Sequence, residues 1–135
     1  MALNTTFYLT VALAVIFYLV VKNKSNIKGP NGATYHSIEA DSVKEWQDEK
    51  EVFALVDVRT PSEYSSGHIK GAKNIPVSNI NTVAEATFTD KENFIVVYCQ
   101  SGSRSKQAAK ALIKMGYTEV YDLGSINNWP YKKTK

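Results

Sequence analysis

The stretch Phe94-Ile-Val-Val-Tyr-Cys99-Gln-Ser-Gly102-Ser-Arg104-Ser105 decides the fold of this chain. Residues 94–99 are almost continuously apolar, as in a parallel strand covered on both faces. A small polar loop follows. Residues 103–115 then place Ala108, Ala111, Leu112 and Met115 at the i, i+3, i+4, i+7 spacing of an amphipathic helix. Lys106, Lys110 and Lys114 line the opposite face, and Gly116 supplies a stop. The unit is strand, loop, helix, with a cysteine at the carboxyl end of the strand. Parallel sheets place their ligands at that end.

The loop explains why a cysteine there is a candidate nucleophile. The turn and the first helical residues direct free N–H groups toward one point, and the helix dipole adds positive potential. Both effects favour the thiolate, the reactive form of the side chain. Gly102 permits a backbone turn that a side chain would obstruct. Arg104 adds a permanent charge or a packing brace. Free cysteines are often buried and inert. The Gly-Ser-Arg-Ser loop and the helix start favour the reactive reading over that one.

Working outward, residues 53–58 (FALVDV) form a second clear strand, and residues 34–38, 72–75 and 119–122 are weaker ones. Helices are expected over residues 40–47, with Val43 and Trp46 facing inward, and over residues 78–86, with a short helical turn after Pro61. Glu39 stands where Ser or Thr would cap the first helix, which weakens that cap. Strands alternating with helices mean an α/β domain with a mainly parallel sheet.

Composition bounds the rest. A chain of 135 residues has room for one ordinary domain. With 44% hydrophobic and 21% charged residues it is not a disordered chain. A single cysteine, Cys99, excludes an intrachain disulfide, a multi-cysteine zinc site and a redox dithiol. A net charge of +3, mixed with acids, does not suggest a nucleic-acid binder.

The charge is unevenly placed, because no charged side chain precedes Lys22. Residues 7–21 read FYLTVALAVIFYLVV, and residues 2–21 are about the length of a membrane-crossing helix. No basic residue precedes the run and no small-x-small site ends it, so a retained anchor is expected over a cleaved signal peptide. Lys22, Lys24 and Lys28 follow it directly. The positive-inside bias then leaves the body on the cytoplasmic side, and a lone cysteine fits a reducing compartment. The alternative is a secreted or periplasmic body after cleavage. The expected organisation is an anchor over 1–22, a Gly/Asn/Pro-rich linker over 23–33, a folded domain over 34–131 and a basic tail over 132–135.

Three stretches together resemble a single-domain rhodanese, of the sulfurtransferase family. The first is Leu55-Val-Asp57-Val-Arg59-Thr-Pro-Ser-Glu63-Tyr64-Ser-Ser-Gly67-His68-Ile69-Lys-Gly71-Ala72-Lys-Asn74-Ile75-Pro76. The second is the Cys99 to Ser105 loop with Ala108 and Ala109. The third is Leu112-Ile-Lys-Met-Gly116-Tyr117 with Val120-Tyr121-Asp122-Leu123-Gly124-Ser-Ile126 and Trp129. The resemblance runs from about Tyr35 to Tyr131. It implies a sheet of five mainly parallel strands with helices on both faces. It also implies that Cys99 takes a sulfane sulfur from a donor, thiosulfate or a persulfide, and passes it to cyanide, a thiol or a protein acceptor. Gln100, Ser101, Gly102, Ser103, Arg104 and Ser105 match the cradle for that sulfur. An activated nucleophile on a nest of N–H groups needs no metal and no separate cofactor. Gln100 departs from the pattern, since the family often has a basic residue there.

Other residues have supporting readings. Asp57 ends a strand near the loop and either holds loop backbone or tunes the cysteine. Arg59 and Glu63, four apart, are expected to pair with each other. His68 reads as structural rather than as a general base, and Trp129 as a lid on the carboxyl end. Lys132, Lys133 and Lys135 read as a solvated tail able to touch anionic lipid. Two other functions compete. A phosphatase or arsenate reductase uses a related loop with five residues between cysteine and arginine, whereas four separate Cys99 from Arg104. A non-catalytic binding or redox-sensing module is the second.

Overall fold

The computed structural model describes residues 25–28 and 34–135. Five parallel strands form the sheet: β2 (Thr34–Ser37), β3 (Ala54–Asp57), β5 (Lys73–Asn74), β6 (Phe94–Cys99) and β7 (Glu119–Ser125). Their order is β2-β7-β6-β3-β5, with every pairing parallel. β1 (Ser25–Lys28) adds an antiparallel edge beside β2. Four residues expected in the linker therefore belong to the sheet. A second small pairing joins β4 (His68–Ile69) to β8 (Lys133–Thr134). Part of the basic tail is thus tied by its backbone to the domain, and its side chains are exposed. The anchor expected over residues 1–22 lies outside the described residues. No helix among the described residues is long and apolar enough to cross a membrane.

Among the described residues, four α-helices flank the sheet: α1 (Ala40–Asp48), α2 (Pro61–Ser66), α3 (Ile80–Thr87) and α4 (Ser103–Lys114). Side chains of a strand alternate between faces, and β6 shows the result. Ile95, Val97 and Cys99 enter one core with Ala84 of α3 and Ala108, Ala109, Leu112 and Ile113 of α4. Val96 and Tyr98 enter the other, with Val43 and Trp46 of α1. Burying each such large apolar side chain contributes roughly 1.5–3 kcal/mol. The inward face of α4 is Ser105, Ala108, Ala109, Leu112 and Ile113. Ala111 and Met115, expected to be central, lie at its margin because α4 packs on α3 as well as on the sheet. Glu39 makes no side-chain cap to α1, as its residue type implies.

The carboxyl end of β7 is irregular, and this shapes the site. Val97 pairs with Asp122 but Tyr98 pairs with Gly124, leaving Leu123 as an extra residue. The Asp122 carboxylate accepts the Gly124 N–H at 2.9 Å and fixes this bulge. The strand therefore continues to Ser125, past the expected end at residue 122, and brings Ser125 level with Cys99.

Candidate active site

The alternation along β6 turns Cys99 toward the face that α4 covers, beneath the amino end of that helix. Its Sγ accepts the Gly102 N–H at 3.0 Å and the Ser105 N–H at 3.3 Å. The chain reverses at Gly102, with φ +97° and ψ −10°, a conformation that strains any residue with a Cβ. Space is not the constraint, because a Cβ at Gly102 would stand 3.8 Å from Gly124 Cα. The Ser105 hydroxyl donates to the Gly102 carbonyl at 3.0 Å and closes the turn. From across the sheet, the Ser125 hydroxyl donates to the Gln100 carbonyl at 2.6 Å. The cradle is thus mostly backbone, pinned at both ends. Cys99 is 0% exposed, while Gln100, Ser101 and Ser103 face solvent.

The two nearby guanidinium groups are arranged differently from the sequence expectation. Arg59 does not pair with Glu63. Its Nη2 donates to Asp57 Oδ2 at 2.6 Å and its Nε to Asp57 Oδ1 at 3.0 Å, with both residues buried. The same Asp57 oxygen, Oδ1, accepts the Arg59 backbone N–H at 2.9 Å. Asp57 therefore holds loop backbone, the plainer of its two readings, and a guanidinium as well. Arg59 reaches onward to the Gly67 carbonyl at 2.7 Å and to Gln100 Oε1 at 3.3 Å. The i, i+4 rule fails here because Arg59 precedes Thr60, the N-cap of α2, and so lies off the helix.

Glu63 turns the other way, toward the cysteine loop. Its two carboxylate oxygens accept from Arg104 Nη1 at 2.6 Å and Nη2 at 2.9 Å. Thr60 N–H and hydroxyl donate to the same carboxylate at 3.2 and 3.1 Å, making a capping box at the start of α2. The Arg104 fork and these Thr60 bonds hold the Glu63 carboxyl at about 2, against an ordinary 4.5. Asp122, behind the loop, is shifted upward by burial, against the opposing effects of Ser105, Gly124 and Lys106. Burial likewise pushes up the Tyr98 phenol, whose oxygen accepts the buried Ile69 N–H at 3.1 Å.

His68 is committed to α2. Its ring stacks on Tyr64 at 3.7 Å and 9°, and its Nδ1 lies 2.9 Å from the Tyr64 carbonyl. Trp129 is buried among the α1-side core residues beside Tyr131. Sequence reasoning gave no site role to Glu63 as the partner of Arg104, or to Ser125. The Thr60-Pro-Ser-Glu63 spacing is a capping-box signature, which locates Glu63 at a helix start but not its distant partner. Nothing local marks Ser125, whose position depends on the β7 bulge.

The family model described as "Rhodanese-like domain" matches residues 39–131. The Bacillus subtilis protein YqhL is 45% identical over 76 residues, covering 56% of this chain and 59% of that protein's length. The Escherichia coli thiosulfate sulfurtransferase PspE is 36% identical over 80 residues, covering 59% of this chain and 77% of its own length. A solved rhodanese with anions from E. coli superposes with a TM-score of 0.58 at 35% identity, over 61% of this chain and 96% of that one. The family match takes in most of the chain, including every strand and helix from α1 to β7 and the whole cysteine loop, so the chain belongs to the rhodanese-like domain family.

Proposed function

We propose that the protein is a sulfurtransferase that carries a sulfane sulfur on Cys99. The observation that carries this reading is the seat of Cys99 Sγ, which accepts two backbone N–H groups at the start of α4. Such a seat stabilises a sulfur anion without a metal. The Cys99 thiolate attacks the outer sulfur of a donor, and the donor's bond to that sulfur breaks. Sulfite or a thiolate leaves with the electron pair, and Cys99 holds a persulfide whose outer sulfur the same N–H groups can face. An acceptor, cyanide or a thiol, then attacks that outer sulfur and restores the thiolate. No net oxidation occurs. Gln100 to Ser105 form the cradle, while Asp57, Arg59 and His68 support the neighbouring loop. The relative named thiosulfate sulfurtransferase supports the reaction class. Because Cys99 is shut from solvent, transfer includes an opening of the loop wide enough for one sulfur.

The ring of four residues between Cys99 and Arg104 favours this reading over a phosphatase, whose tetrahedral substrate needs a larger one. The sequence also supports a tether: residues 2–21 cross a membrane and leave the body on the cytoplasmic side, by the lysines that follow. Full-length chain should form thiocyanate from a sulfane donor and cyanide, and Cys99→Ser should form none. Equal rates for the two chains would remove Cys99 from the reaction. The full chain should resist alkaline carbonate extraction, and protease added outside intact cells should spare the body.

A further inference from the structure

Among the described residues, the two guanidinium groups beside the cysteine loop are each matched with a carboxylate of the same chain. Arg104, the only charged residue in the loop, is gripped through both terminal nitrogens by Glu63. Arg59, which touches Gln100, is gripped by Asp57. Lys106, at the first turn of α4, is exposed, and its charge acts only as the smallest of the influences on buried Asp122. Gln100, Ser101 and Ser103 carry no charge. Within residues 99–105, what remains to attract an anion is backbone N–H, a partial charge that holds one sulfur but gives little long-range pull.

We infer that Glu63 sets the class of sulfur donor: by occupying Arg104 it denies a dianionic donor its counter-charge, and the site takes its sulfur from thiol persulfides. This rests on the sulfur-transfer reading above. For a persulfide R–S–SH the step balances without a co-reactant. Cys99–S⁻ bonds to the terminal sulfur, the R–S to sulfur bond breaks, and the departing R–S⁻ keeps the electron pair and receives the proton. The products are Cys99–S–S⁻ and R–SH. Thiosulfate would do the same chemistry with sulfite as leaving group, but would carry two negative charges to a mouth whose guanidiniums are already paired. A fork of two parallel N–H···O bonds is a strong form of ion pair, so an exposed dianion does not displace it readily.

The test compares second-order rates of Cys99 loading in the full chain with thiosulfate and with cysteine persulfide, read by mass, at low and high salt. The native chain should load from cysteine persulfide at least roughly tenfold faster than from thiosulfate, the low end of what a charged cleft adds to an anion's association rate. Glu63→Gln frees Arg104 and should raise the thiosulfate rate by a similar factor, with the gain shrinking at high salt. Gln100→Lys leaves the capping box intact, adds a cation directly and should act in the same direction. A purely structural role for Glu63 would slow both donors together and leave their ratio and salt dependence unchanged. That outcome, or native loading by thiosulfate as fast as by persulfide, overturns this inference while leaving sulfur transfer standing. Loading by neither donor in the native chain overturns both.

Discussion

Glu63 and Arg104 lie 41 residues apart in sequence and meet through two parallel hydrogen bonds, 2.6 and 2.9 Å long. One residue belongs to the first turn of α2 and the other to the first turn of α4. The pair ties the loop that follows β3 to the loop that follows β6, at the end of the sheet where Cys99 sits.

This pair has an acid signature. The Glu63 carboxyl is held at about 2 in the fold, against 4.5 when free. A depressed carboxyl stabilises the fold above its free value and loses that contribution as pH falls through the folded value. The stability difference between the native chain and Glu63→Gln should therefore be full above about pH 4.5 and decline toward pH 2. Urea unfolding across that range measures it. A difference that stays constant down to pH 2 would mean that the pair contributes nothing.

Asp57→Ala should be among the most damaging substitutions outside the apolar core. It leaves the Arg59 guanidinium buried without its carboxylate, which costs roughly 3–5 kcal/mol. Adding Arg59→Met to the same chain should recover a large part of that loss, since an apolar replacement of a buried pair is often close to neutral. Denaturant midpoints of the two variants decide it. Failure of the second substitution to recover stability would mean that the hydrogen bonds to Gly67 and Gln100 matter more than the charge.

Gly102→Ala should cost roughly 1–2 kcal/mol, because a Cβ is added at φ +97° in a space that would otherwise accept it. It should also slow sulfur loading by more than its stability loss explains, since the strain relaxes by moving one of the two N–H donors from Sγ. Thermal unfolding and loading rate, measured on one preparation, separate the two effects. A chain that is destabilised but loads at the native rate would show that the Gly102 N–H is not needed.

The burial of Cys99 predicts selection by size. A small alkylating reagent such as iodoacetamide should label the folded chain far faster than a bulky aromatic disulfide reagent does, relative to their rates with free cysteine. The preference should disappear in urea. Equal relative rates in the folded chain would mean that the loop stands open.

The central unit of the fold was readable because strong local signals coincide there. Residues 94–99 are apolar throughout, the helix after them has a clear period, and a strand–loop–helix unit with Cys99 at its turn allows few alternatives. Helix ends fell within a residue or two for the same reason. What escaped reading depends on partners distant in sequence. β4 and β8 have two residues each, too few for any period. β1 lies in a Gly/Asn-rich stretch whose composition resembles a linker, and its pairing with β2 depends on register that no local pattern encodes. The Arg59 and Glu63 exchange of partners turned on where α2 begins. With Thr60 as N-cap, Arg59 falls outside the helix and folds back onto Asp57, while Glu63 caps Thr60 and leaves its outer face to Arg104. The i, i+4 spacing alone does not contain that boundary.

The account stands on Cys99 carrying sulfur, and peptide-level mass spectrometry of the full chain tests this most directly. The chain is exposed to a sulfane donor, digested without reductant, and the peptide containing Cys99 is weighed before and after an acceptor thiol is added. The expected result is a gain of one sulfur atom on Cys99, lost again on adding the acceptor and absent in Cys99→Ser. A Cys99 peptide of unchanged mass after both thiosulfate and cysteine persulfide, in a chain shown to be folded, would contradict it.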